Sequence, residues 1–178
     1  MNQKNLLICG MAAAVILTSV DARASYNSVL RKWTKDGRSF AANTMDARLI
    51  WHATLLSDEL VDAQQRLAQK RKVTLPSQDL TGVNFFIKFY THKALNNFSL
   101  DDGSTWKIFL VGSNGQEVPA IKIDSVTITP VESTLYPHMD RWSKAYIVKF
   151  PETDLGTGPK LVLRSIVAES VLEWKIER

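Results

Sequence analysis

The chain holds three histidines, His52, His92 and His138. Imidazole suits proton transfer near neutral pH and the binding of transition metals. No two of the three lie four residues apart, so no single helix can offer a pair of ring nitrogens to one ion. A zinc site would have to assemble from distant strands, with an Asp or Glu completing it. The local spacing carries no such signal, so neither a metal nor a cofactor is expected. Nucleophilic catalysis needs a Ser, Thr or Cys held against a base. Ser143, near His138 and Asp140, has the right residue types. The three are crowded into one stretch, whereas a working triad is positioned by separate rigid elements. With no Gly-x-Ser-x-Gly present either, no catalytic residue is assigned.

Two further stretches read as turns. Asp101-Asp102-Gly103 lacks the distant carboxylate that a calcium loop requires. Gly156-Thr157-Gly158-Pro159-Lys160 lacks the Gly-Lys-Ser/Thr ending of a phosphate loop, and no helix is expected after it. The segment Leu135 to Trp142 is the strongest candidate for recognition. Aromatic residues, Met and Arg are enriched where proteins bind one another. Tyr136, His138, Met139, Arg141 and Trp142 are therefore the candidate binding residues. The competing reading has the aromatics folding back to plug the core, where rings bury most of their area.

These side chains need a scaffold. Ser25 to Lys35 reads as a frayed lead-in or a short helix with Val29, Leu30 and Trp33 on one side, and Asp36-Gly37 as a turn. Phe40 to Leu56 looks extended, with Leu49, Trp51 and Ala53 alternating against Arg48, Ile50 and His52. Ser57 to about Lys72 is the clearest helix. Ser57 is a good N-cap, Asp58 and Glu59 suit the positive end of the dipole, and Leu60, Ala63 and Leu67 form a stripe. Expected strands follow at Val83–Thr91, Trp106–Val111, Val118–Ile123, Ser125–Thr129, Ala145–Phe150, Leu161–Val167 and Val171–Ile176. Ser113-Asn114-Gly115-Gln116 is a hairpin signal, because Asn-Gly tolerates positive φ. Pro130 to Lys144 is read as irregular. Short strands punctuated by turns predict a mainly β fold, an antiparallel sandwich with one helix in the N-terminal half packed on an end or edge.

The first residues set the expected compartment. Lys4 precedes an apolar run from Leu6 to Val20, and Ala22-Arg23-Ala24 is a small-x-small cleavage pattern. Residues 1–24 are read as a secretory signal cleaved between Ala24 and Ser25, leaving one β-rich domain over 25–178. The run is too short and too interrupted to span a bilayer, and no transmembrane segment is expected in the mature chain. Cys9, the single cysteine, follows the bulky Ile8 and makes a poor lipidation site, so the mature chain has no thiol and no disulfide. The net charge of +4 is mild, and the basic clusters Arg31-Lys32 and Lys70-Arg71-Lys72 are short. That argues against nucleic acid as a partner.

The stretches Trp51–Leu60, Trp106–Leu110, Tyr136-Pro137 and Tyr146–Pro151 resemble a loosely defined group of exported proteins and lipoproteins of Gram-negative bacteria. That resemblance implies an exported, non-catalytic chain and carries no residue roles. The expected function is an envelope or periplasmic binding module whose partner is another envelope protein. The alternatives are a cell-envelope hydrolase or metal-dependent enzyme, and a structural subunit of an envelope assembly. The enzyme reading requires two or more of the histidines to converge with carboxylates in a concave pocket. The structural-subunit reading requires an uncharged, unpaired edge strand.

Overall fold

The computed structural model describes residues 25–40, 47–76, 79–91, 99–140, 142–166 and 169–176. The expected leader and its cleavage at Ala24, together with Cys9, His92 and Arg141, lie outside the described residues. Helix α1 occupies residues 25–33. It is followed by β1 (Thr34–Phe40), β2 (Ala47–Leu55), α2 (Asp58–Arg71), β3 (Val83–Thr91), β4 (Lys107–Val111) and β5 (Glu117–Pro119). Then come β6 (Lys122–Val126), α3 (Pro130–Leu135), β7 (Lys144–Phe150), β8 (Lys160–Arg164) and β9 (Glu169–Glu173). The strands form a five-stranded sheet, β1-β2-β3-β7-β6, and a four-stranded sheet, β5-β4-β8-β9, with antiparallel pairing throughout.

The expected antiparallel sandwich is the observed fold. Alternation builds it: Leu49, Trp51, Ala53 and Leu55 of β2 pair with Thr91, Phe89, Ile87 and Phe85 of β3, and all eight are buried. This face meets the second sheet. Phe89 packs edge-on against Trp106 at 5.6 Å, Phe85 lies 5.3 Å from Trp174, and the Trp51 indole donates to Ser170 Oγ. Offset and edge-on rings fill such an interior well.

Helix α2 forms as its sequence dictates. Ser57 Oγ accepts from the Leu60 amide, Asp58 and Glu59 stand in the first turn, and Lys70 and Arg71 in the last. Lys72 ends it in the left-handed region at φ 53°, with its amide turned back to Ala68 and Gln69. The helical part is larger than one helix and lies over the outer face of the five-stranded sheet. Phe86 points to that face, and the Tyr136 ring stacks on it at 3.6 Å. Gln64 of α2 donates to the Tyr136 hydroxyl, and Tyr26 of α1 donates to the Leu135 carbonyl. Three helices thus meet over one buried tyrosine.

Five local expectations are corrected. Asp36-Gly37 is not a turn but mid-strand in β1, opposite His52 and Trp51. The glycine is there for space, since a Cβ on Gly37 would lie 2.3 Å from Trp51 Nε1. Val118–Ile123 is not one strand. The Ala120 amide donates to Ile108 in the four-stranded sheet, and the next amide, of Ile121, donates to Lys149 in the five-stranded one. The chain changes sheets at that peptide, and the following strand is β6, Lys122–Val126, rather than Ser125–Thr129. Pro130–Leu135 is a helix, with Thr129 and Glu132 forming a capping box ahead of Pro130 at its first turn. The Asn114-Gly115 hairpin joins β4 to β5 as expected, Gly115 taking φ 71°. The terminal hairpin pairs Arg164 with Glu169, so β9 starts earlier than the sequence suggests.

Candidate functional site

Strand register sets one polar row across the outer face. Asp36 of β1 lies opposite His52 of β2, and His52 opposite Lys88 of β3. Alternation aims these three away from the sandwich interior, on the same side as Phe86. The loop after α3 folds over this row, starting from the stacked Tyr136. The Met139 amide returns to the Tyr136 carbonyl at 3.0 Å, which makes the turn tight.

Lys88 fastens the loop. Its side chain is 9% exposed, and its ammonium donates to the His138 carbonyl at 2.6 Å and pairs with Asp140 Oδ2 at 2.7 Å. A buried ammonium survives only with such partners. Asp140 Oδ1 in turn accepts from the Trp142 amide at 2.8 Å and from Ser143 Oγ at 3.0 Å. Burial raises the Asp140 carboxyl, but the hydrogen bonds from Lys88, Trp142 and Ser143 outweigh it and hold the group below the usual range.

Two histidines converge beneath the loop. The His52 and His138 rings lie 5.1 Å apart, tilted by 32°. His138 is pushed down to about 4, first by burial and then by His52 and the Lys88 charge. His52 is also lowered, first by burial and then by Lys88, with Asp36 acting in the opposite direction. The His138 Nε2 atom is buried and has no hydrogen-bond partner among the described residues. The pair borders a recess of about 430 Å³ whose walls include Arg31 of α1, Asp36, Pro137 and His138. On the far side of the loop a second recess, about 520 Å³, is lined by Met139, Asp140, Ser143, Ile128 and Val126.

The described candidate binding residues are therefore dispersed. Tyr136 is 1% exposed and plugs the outer core, as the competing reading has it. His138 faces one recess and Met139 the other. Trp142 stands out at 68% exposure. Ser143 Oγ donates to the Asp140 carboxylate, which is itself paired with Lys88, so the three residues do not form the Ser–His–Asp relay that their types would allow. Among the described residues, no three His, Cys, Asp or Glu side chains group so as to hold a metal ion. The acidic turn is a turn, Asp102 accepting from both the amide and the hydroxyl of Ser104. The Gly156 stretch leads into strand β8.

No family model, curated protein or solved structure matches this chain.

Among the described residues no helix is long and apolar enough to cross a membrane. The sequence signal that goes unread at the level of motifs is Lys88. It is a lone cation inside Val-Asn-Phe-Phe-Ile-Lys-Phe-Tyr-Thr, and a charge in so apolar a strand demands a partner elsewhere. Asp36 is hidden by its resemblance to a turn residue.

Proposed function

We propose that this chain is an exported, non-catalytic binding domain of the cell envelope that engages a partner protein through the loop carrying Trp142. The observation that carries the reading is an exposed indole on a loop held rigid from below. Asp140 fixes the Trp142 backbone, and Lys88 fixes Asp140. Anchors that need no ordering on binding lose less entropy, and Trp is the side chain most enriched among such anchors. The recess beside it, where Met139 and Ile128 share the wall with Ser125, Asp140 and Ser143, offers both adaptable apolar and polar contacts for the partner's side chains. Export is supported by the composition of residues 1–24 and by the absence of cysteine after Cys9. The structural-subunit reading is less well supported. Both outer strands of the five-stranded sheet carry charges, Lys35 and Arg38 in β1 and Lys122 and Asp124 in β6, and such charges guard an edge against strand addition.

The test compares wild type, Trp142→Ala and Ile166→Ala in affinity capture from envelope fractions. Ile166 is the control because it is 97% exposed and lies on the β8–β9 turn. A partner recovered by wild type and by Ile166→Ala should be lost by about tenfold or more with Trp142→Ala. Equal recovery by all three proteins would remove the loop from the reading.

A further inference from the structure

The groove between α2 and α3 has a composition that recognition through Trp142 does not use. It holds a recess of about 170 Å³, and none of its described lining residues lines the recesses beside Trp142 and His52. Its wall is apolar, with Leu67 and Ala68 of α2 and Leu135 of α3 among the buried residues that form it. Val73, just past the end of α2, also lines it and keeps 39% of its surface exposed. Among the described residues of the wall, only Thr134 and Arg71 carry polar side chains. The Thr134 hydroxyl donates to the Pro130 carbonyl at 2.9 Å. Arg71 is exposed and, like its neighbours Lys70 and Lys72, has no ion-pair partner among the described residues.

We infer that this groove is a binding site for a fatty carboxylate, with the alkyl tail in the recess and the carboxylate on Arg71. Size sets the tail. An apolar cavity of about 150 Å³ takes a molecule of about six carbons such as benzene, so this recess takes a tail segment of similar size. A further recess of about 310 Å³ shares Leu75 and Leu135 with it and reaches Pro76 and Leu80, which gives room for a longer chain. Charge sets the head. An unpaired guanidinium in an apolar wall suits a carboxylate, which it can hold by two parallel hydrogen bonds. Lys70 and Lys72 add positive charge beside it, and no carboxylate among the described residues lines the recess to repel the ligand. Lys70 and Arg71 both complement the helix dipole from the last turn of α2, but of the two Arg71 alone lines the recess. A peptide C-terminus also offers a carboxylate, yet it brings amide groups that need partners. The one hydroxyl in the wall is already engaged, whereas an alkyl chain asks for none.

The experiment titrates decanoate, below its micelle concentration, into the purified, isotopically labelled chain and follows amide shifts by nuclear magnetic resonance. Binding tighter than about 1 mM is expected, with shifts centred on Val73, Leu75, Val131 and Leu135. Hexanoate should bind at least about tenfold more weakly, because each buried methylene contributes about fourfold. Decyltrimethylammonium, with the same tail and the opposite charge, should also bind at least about tenfold more weakly, and so should decanoate to Arg71→Gln. Lys70→Gln should stay within about threefold of wild type, as a charge off the recess contributes little. Arg71 and Val73 are exposed, so Arg71→Gln and Val73→Ser should keep the fold, which thermal melts check. Val73→Ser should weaken decanoate binding without altering the preference for the carboxylate head. Wild-type binding weaker than about 1 mM, shifts spread over the whole surface, equal binding of the two heads, or unchanged affinity in Arg71→Gln would each overturn the inference. So would tighter binding of a leucine-ended peptide than of decanoate, which would give the groove to a protein chain.

Discussion

Replacing Lys88 by Met tests whether one buried amine holds the candidate loop. Methionine keeps the length and most of the packing of the stem while removing the charge. The Lys88 side chain is 9% exposed and the Asp140 side chain 46% exposed, so the two ends differ in what they lose. The carboxylate regains water, and its share of the pair is close to that of a surface bridge, about 1 kcal/mol. The His138 carbonyl loses a charged donor at 2.6 Å, a bond worth about 1.5–3 kcal/mol. Against this, the variant no longer has to desolvate an ammonium. The net destabilisation should be about 2 kcal/mol, or roughly 4–8 °C in melting temperature for a domain of this size. Urea denaturation measures the first quantity. Amide hydrogen exchange at Trp142 and Ser143 reports whether the loop has loosened, and both amides should exchange faster. A stability within about 0.5 kcal/mol of wild type, with unchanged exchange at those amides, would refute the reasoning.

Other expectations follow from the same geometry. The folded His138 titrates near 4 against 6.5 in the open chain, so the unfolded state takes up the proton first. Stability should be full above pH 6.5, fall as pH drops towards about 4, and change no further from this group below that. The total should be roughly 3 kcal/mol, and His138→Gln should lack that component, so parallel pH curves for the two proteins would contradict it. Gly37→Ala forces a methyl to within 2.3 Å of Trp51 Nε1 and 2.7 Å of Ser170 Oγ. It should cost about 1–3 kcal/mol in a urea titration, and a neutral result would mean that β1 and β9 part easily.

Much of the scaffold is legible in the sequence because its signals are local. Strands β2 and β3 announce themselves by alternation and aromatic content, and α2 by Ser57, its first-turn carboxylates and its apolar stripe. The helix after Thr129 goes unread as an irregular stretch, although Thr-Pro-Val-Glu combines a capping box with an N-terminal proline. Asp36-Gly37 misleads for a physical reason. A glycine that yields space to an indole has the same letter as one that yields torsional freedom to a turn. The polar row is the least legible part. Asp36, His52 and Lys88 are neighbours only through strand register, and His138 joins them only because Tyr136 is stacked on Phe86. No spacing along the chain encodes that. His52 and His138 border one recess with Asp36, but among the described residues no three such side chains group so as to hold a metal ion.

The corner at Ala120 and Ile121 has a consequence for how this chain can vary. Successive amides there belong to the ladders of different sheets, so the corner has no slack. In β6, Ile123 stands opposite Val148 on the inward side and Asp124 opposite Ile147 on the outward side. One added residue at the corner would reverse that parity, driving a carboxylate into the sandwich and an isoleucine into water. Two added residues would restore it. Length changes at this point should therefore be tolerated in even steps only, a counting rule imposed by a single peptide.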